Sequence, residues 1–189
     1  TILAMDVVDY SAKMGQNEET TLQSLRQCRE IIERVVSSQK GRIFNTAGDA
    51  FMIEFASPVA AVTSAVNIQK EIKDRNYKLS AEEHLEFRMG VNMGDIMIEG
   101  ENLFGEGVNV AARLEGIAPA GGVCISEIIY SVVKGKVAVE FIDQGPQELK
   151  NIDEPVTAYY ADLEPGVIKP RRTTGSTKAA KPSFEMRWL

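Results

Sequence analysis

Three polar residues stand where the surrounding sequence is apolar. Asp6 closes the run "TILAMD", Asp49 sits at the tip of a turn in "NTAGDAFMIEF", and Asn45 interrupts the strand that leads into that turn. In a β-α-β-β unit, the end of the first strand and a neighbouring hairpin tip can lie side by side. Two carboxylates brought together there repel, and each is hard to ionise. A divalent cation removes that penalty, and Mg2+ is commonly held by one or two carboxylates together with substrate phosphates. On spacing alone a blander alternative is the stronger one: Asp49 as a turn residue and Asp6 as a helix-side cap.

Periodicity outlines the elements that would position these groups. "TILAMDVV" reads as a buried strand. The following stretch carries Leu22, Leu25, Ile32, Val35 and Val36 at helical spacing, with acids early and Gly41 as the stop. "RIFNTAGDAFMIEF" is a hairpin around Gly48. Ser57 as N-cap and Pro58 at the first helical position start the next helix. "LEFRMGVNMGDIMIEG" is predicted as a strand pair bent at Gly94, and "GVNVAARLEGIA" as a short helix ending before Pro119. "GGVCIS" is a strand, "SEIIYSVVKG" a short helix with Ser126 as cap, and "VEFIDQGPQELKNI" and "VTAYYADL" supply the last strands. The order β-α-β-β-α-β-β-α-β-α-β-β predicts an α/β (α+β) domain over residues 1–164, its helices packed on a sheet. From Pro165 the periodicity fails. Residues 165–189 read as a Pro/Gly/Ser/Thr/Lys linker, and "FEMRWL" as the first turn of something further on.

Charge is uneven along the chain. The net charge is −6, but residues 165–189 hold six Lys/Arg and one acid, so the part before them is strongly acidic. That argues against a nucleic-acid surface. Cys28 and Cys124 lie far apart without metal-ligand spacing, which fits a reduced, cytoplasmic protein. No apolar run is long enough to span a bilayer. The chain begins inside a strand and without Met, which reads as a piece of a longer protein. Membrane attachment or further domains would then come through sequence beyond its C-terminal end. His84, the only histidine, falls in a polar loop and reads as a surface residue; Met89, Met93 and Met97 read as core or interface filling.

"LAMDVVDYS", "TAGDAFMIEF", "GVNVAARLE" and "LKNIDEPV" occur in the order and spacing of class III adenylate/guanylate cyclase catalytic domains, which the chain resembles from Thr1 to about Leu163. The resemblance is to the bacterial subgroup in which a linker joins the domain to others. It implies a ferredoxin-like βαββαβ core with extra strands on a mostly antiparallel sheet, and a head-to-tail homodimer with active sites across the interface. It also implies cyclisation of ATP, or GTP, with release of pyrophosphate, helped by two Mg2+ or Mn2+ ions per site. Asp6 and Asp49 match the metal-binding aspartates, and the carbonyl of Val7 the backbone ligand. Asn109 and Arg113 match the transition-state pair, four residues apart on one helix face. Lys150 matches the phosphate-binding lysine. Asn45 and Asn102 match the two base-reading positions.

At those two positions the chain departs from the pattern it resembles. Adenylate cyclases of the family place a lysine where Asn45 stands and an aspartate where Asn102 stands. An amide carries both a donor and an acceptor, so the pair can meet adenine or, turned over, guanine. Asp9 replaces a glycine in "DVVDYS" ahead of the first helix, and is read as an N-cap of that helix. These departures keep open an alternative: a weak or inactive homologue that binds nucleotide as a regulatory module.

Overall fold

The computed structural model describes residues 1–100 and 102–164; the predicted linker at 165–189 lies outside the described residues. β1 (Ile2–Val7) is followed by two helices, α1 (Tyr10–Gln16) and α2 (Glu18–Ser38). The β2 (Arg42–Ala47) and β3 (Ala50–Glu54) hairpin, α3 (Pro58–Tyr77) and β4 (Phe87–Asn92) come next. Two short strands, β5 (Met97–Glu99) and β6 (Asn102–Phe104), precede α4 (Glu106–Ile117). β7 (Val123–Ser126), α5 (Glu127–Val133), β8 (Glu140–Gln147) and β9 (Val156–Asp162) complete the domain.

Seven strands form one sheet in the order β2-β3-β1-β4-β7-β9-β8. Only the β4–β7 pair is parallel; the other neighbours are antiparallel, as the ferredoxin-like expectation requires. The period of two in β1 sorts its side chains cleanly between the two faces. Leu3, Met5 and Val7 join the main core with α2, α3 and α5, whereas Ile2 and Ala4 pack with Met52, Leu103, Val108 and Ala111 on the face that α4 covers. Asp6 continues the Ile2–Ala4 row and therefore belongs to the α4 face.

The helix starts are written locally. Asn17 accepts from the amide of Thr20 at the head of α2, and Ser57 accepts from Ala60 at the head of α3, with Pro58 in the first helical position. At the end of α2 the left-handed residue is Lys40, at φ 57°, and the Gly41 amide donates to the Val36 carbonyl. Gly41 is needed for a different reason: a Cβ there would collide with the ring of Phe55.

The structure departs from the sequence reading in four further places. The segment between Asp9 and Asn17 forms its own helix, α1. The strand pair predicted around Gly94 does not form: β5 pairs with β6 in a separate two-stranded sheet, with Glu99 opposite Asn102. Ser126 stands at the N-cap of α5 but makes no capping bond; its buried hydroxyl donates to Asn92 Oδ1 at 2.7 Å, and Asn92 donates on to the Gly107 carbonyl at 3.1 Å. That buried chain ties β7 and β4 to the start of α4. Asp9 likewise occupies the N-cap of α1 without a capping bond, at φ 53°. The left-handed backbone explains the usual glycine there, and Asp is among the few other residues that adopt it readily.

Candidate active site

Asp6 is placed by β1 and aimed by its partners. It lies opposite Arg88 in the β1–β4 register. Arg88 Nη2 donates to both carboxylate oxygens of Asp6, at 3.1 and 3.2 Å. The same guanidinium stands 3.2 Å, through Nε, from Glu115 Oε1 on α4. Asp49 comes from the β2–β3 turn, where Gly48 supplies the positive φ of 63°. Its Oδ2 accepts from the backbone amide of Val7 at 3.1 Å, which brings the hairpin tip against the end of β1. The juxtaposition of strand end and hairpin tip that the spacing allowed is therefore present.

Electrostatics fit a cluster of carboxylates facing one guanidinium. The Asp49 carboxyl is raised above its ordinary range, first by burial and also by the charge of Asp6. Glu115 is pushed up to about 9, mainly by burial and by the neighbouring Asp6, against the pull of Arg88. Tyr10 is raised by burial and then by Asp49, which puts α1 at the same site. Glu115 is thus enclosed against Arg88 rather than on a solvated helix face. Arg88 is a site residue that sequence reasoning passed over. Its signal was a charged residue inside the apolar strand "FRMGV".

Asn45 reaches the α4 face through a β-bulge. Ile43 faces Ile53, but Asn45 faces Met52, so Phe44 is an extra residue in β2. In a regular ladder without the bulge, Asn45 would face Phe51 and fall on the opposite face of the sheet. The bulge brings its Nδ2 to Asn102 Oδ1 on β6, at 3.2 Å. On α4, Asn109 is exposed and Arg113 partly buried; Arg113 Nε donates to the Lys150 carbonyl at 3.0 Å. The Lys150 side chain is exposed, on the turn after β8. Within one chain the predicted residues form three groups: Asp6, Val7 and Asp49; Asn45 and Asn102; Asn109, Arg113 and Lys150. Among the described residues no hydrogen bond or ion pair joins the third group to the first.

The donor set suits a hard divalent cation: two neighbouring carboxylates whose mutual repulsion such an ion would relieve. Among the described residues no group of three or more His, Cys, Asp or Glu side chains is arranged to hold a metal. One chain offers two carboxylates, so the remaining ligands would be backbone, water or substrate oxygens. Cys28 and Cys124 are buried and free, and burial raises both thiols. His84 is half-buried, with its Nε2 3.1 Å from the Leu79 carbonyl.

Residues 1–162 match the family described as the adenylate and guanylate cyclase catalytic domain. The chain is 43% identical over 156 residues to "Putative adenylate cyclase 3" of Rhizobium meliloti, covering 82% of this chain and 27% of that protein. It therefore spans about a quarter of that relative's length. Among solved structures, the adenylate/guanylate cyclase/hydrolase from Silicibacter pomeroyi superposes with a TM-score of 0.79 at 35% identity, covering 85% of this chain and 94% of that one. The adenylyl cyclase CyaB from P. aeruginosa shares the fold, with a TM-score of 0.72 at 23% identity over 92% of this chain and 95% of that one. With the sheet, the hairpin aspartate and the α4 residues in place, the chain belongs to the class III adenylate and guanylate cyclase catalytic domain family.

Proposed function

We propose that the domain is a working nucleotidyl cyclase that converts ATP, with GTP as a second substrate, to the 3′,5′-cyclic nucleotide and pyrophosphate in a homodimer. The observation that carries this reading is the approach of Asp49 to the end of β1, where Asp6 and the Val7 backbone stand. Asp6, Asp49 and the Val7 carbonyl would hold Mg2+ or Mn2+, which when bound neutralise the triphosphate and acidify the ribose hydroxyl. Asn109 orients the ribose so that its 3′-oxygen lies in line with the α-phosphorus. The bond from that phosphorus to the pyrophosphate leaving group then breaks. Arg113 offsets charge developing at the α-phosphate, and Lys150 binds the phosphates.

In this reading the aspartates of one chain face Asn45, Asn102, Asn109, Arg113 and Lys150 of another. The separation of these groups within one chain supports it. So does the β5–β6 hairpin, where Met97 and Ile98 are 68% and 73% exposed, as a second copy would cover such a surface. The two amides bond to each other through Asn45 Nδ2 and Asn102 Oδ1, which leaves one acceptor and one donor for the base. Turning both amides over keeps their mutual bond and reverses the free ends, so adenine and guanine can each be met.

That neutral pair, in place of two charged readers, also favours a second reading: a nucleotide-binding regulatory module without turnover. One assay separates them. Purified domain with Mn2+ is expected to form cyclic AMP from ATP, and cyclic GMP from GTP at a comparable rate. Nucleotide binding with no product from either would support the regulatory module.

A further inference from the structure

Asp9 carries a charge at the metal end of the site that no contact of the fold uses. It makes no capping bond to α1, and its side chain is exposed, with no hydrogen bond or ion pair among the described residues. The backbone fixes its place from both sides. The Val8 amide donates to the Glu86 carbonyl at 2.8 Å, so Asp9 is the first residue past the sheet. Its own carbonyl accepts from Ala12 and Lys13, and its φ of 53° turns the chain from β1 into α1. Two residues earlier the Val7 amide holds Asp49; one residue later Tyr10 is raised by burial and then by Asp49. The charge of Asp9 also reaches inward. Against the lowering effect of burial, Glu115, Asp6 and Asp9 hold the Arg88 guanidinium above its ordinary value.

We propose that Asp9 is a specificity-determining residue: its carboxylate guards the end of β1 against bare triphosphate, so that the site selects nucleotide complexed with a divalent cation over free nucleotide. The proposal rests on the reading of Asp6, Val7 and Asp49 as holders of that cation. The cation's remaining ligands then include substrate phosphates, which come to lie at the end of β1, two residues from Asp9. There Asp9 adds its charge to those of Asp6 and Asp49. A bare triphosphate carries about twice the charge of its complex with one divalent cation, so repulsion from Asp9 falls about twice as heavily on it. A glycine at this turn would give the same left-handed backbone without that charge.

The test is titration of the domain with a fluorescent ATP analogue that lacks the 3′-hydroxyl, once with excess Mn2+ and once in a chelator. Asn and Gly both adopt the left-handed backbone readily, so Asp9→Asn and Asp9→Gly remove the charge without straining the turn. In chelator both variants are expected to bind the free analogue at least about fivefold tighter than the parent, and with Mn2+ about threefold tighter or less. The gain in chelator should fall below about twofold in about 1 M salt, where exposed charges are screened within about 3 Å. Glu127→Gln is the control. Glu127 is exposed at the head of α5, which leaves the sheet beyond the Leu3–Val91–Ile125 row, at the opposite end of β1 from Val7. Removing its charge should shift affinity by less than about twofold. Equal gains with and without Mn2+, a gain in Asp9→Gly alone, a gain undiminished by salt, or no measurable binding of the free analogue by either variant would overturn the proposal. When any of these accompanies tighter binding by the parent in Mn2+, the metal reading stands and the role of Asp9 alone falls. If Mn2+ does not tighten binding to the parent, the metal reading itself fails, and the selection by Asp9 with it.

Discussion

Asp6 accepts from Arg88 and Asp49 from the Val7 amide, yet neither is part of the apolar core. Asp49→Ala is expected to lower cyclase activity to background while leaving the far-ultraviolet circular dichroism unchanged; retained activity would remove Asp49 from the metal set. Glu115 gives a pH prediction. Its folded-state value of about 9 lies above the ordinary carboxylate range, so the folded chain binds a proton that the unfolded chain releases. Its contribution to stability is fully present below the ordinary value and is lost as pH rises toward 9. Without metal, the melting temperature should fall from pH 5 to pH 8, and Glu115→Gln should lessen that fall. An unchanged slope in the variant would show that Arg88 keeps Glu115 ionised. At the base-reading pair, Asn45→Lys with Asn102→Asp should raise the ATP-to-GTP ratio of kcat/KM by about tenfold per contact, since charge-assisted bonds exceed neutral ones by about 1–2 kcal/mol. A parent that already selects ATP as sharply would refute relaxed selection.

Helix α4 can carry site residues only because β4 lets it approach. Gly90→Ala is expected to cost about 1–3 kcal/mol, as overpacking does, and to reduce activity by lifting α4 from the sheet. Chemical denaturation of the variant checks this, and an unchanged midpoint would contradict it. The main elements were legible because their signals are local: the Asn17 and Ser57 caps, the Gly48 turn and the alternation in β1. What escaped was not local. The Phe44 bulge shows only in the β2–β3 register, and no periodicity announces that one extra residue turns Asn45 toward α4. The β5–β6 pairing escaped because both strands are three residues long. Arg88 escaped because its meaning depends on which strand lies beside it. The candidate residues themselves came from resemblance; spacing alone left Asp6 and Asp49 as ordinary turn and cap positions.

Among the described residues no hydrogen bond or ion pair joins the candidate metal residues Asp6, Val7 and Asp49 to Asn109, Arg113 and Lys150, and an exposed apolar hairpin lies just before α4 in sequence. Among the described residues no helix is long and apolar enough to cross a membrane. On the proposed reading, such a chain completes its site by pairing with another. The central claim is that each site is shared between two copies. Asp49→Ala and Arg113→Ala each disable both sites of a homodimer, but a heterodimer of the two variants retains one intact site. The decisive measurement is cyclic nucleotide formation after the two inactive variants are mixed, with subunit exchange verified by differently tagged chains. The account predicts activity returning toward one intact site per heterodimer. Verified exchange with no recovered activity would contradict it.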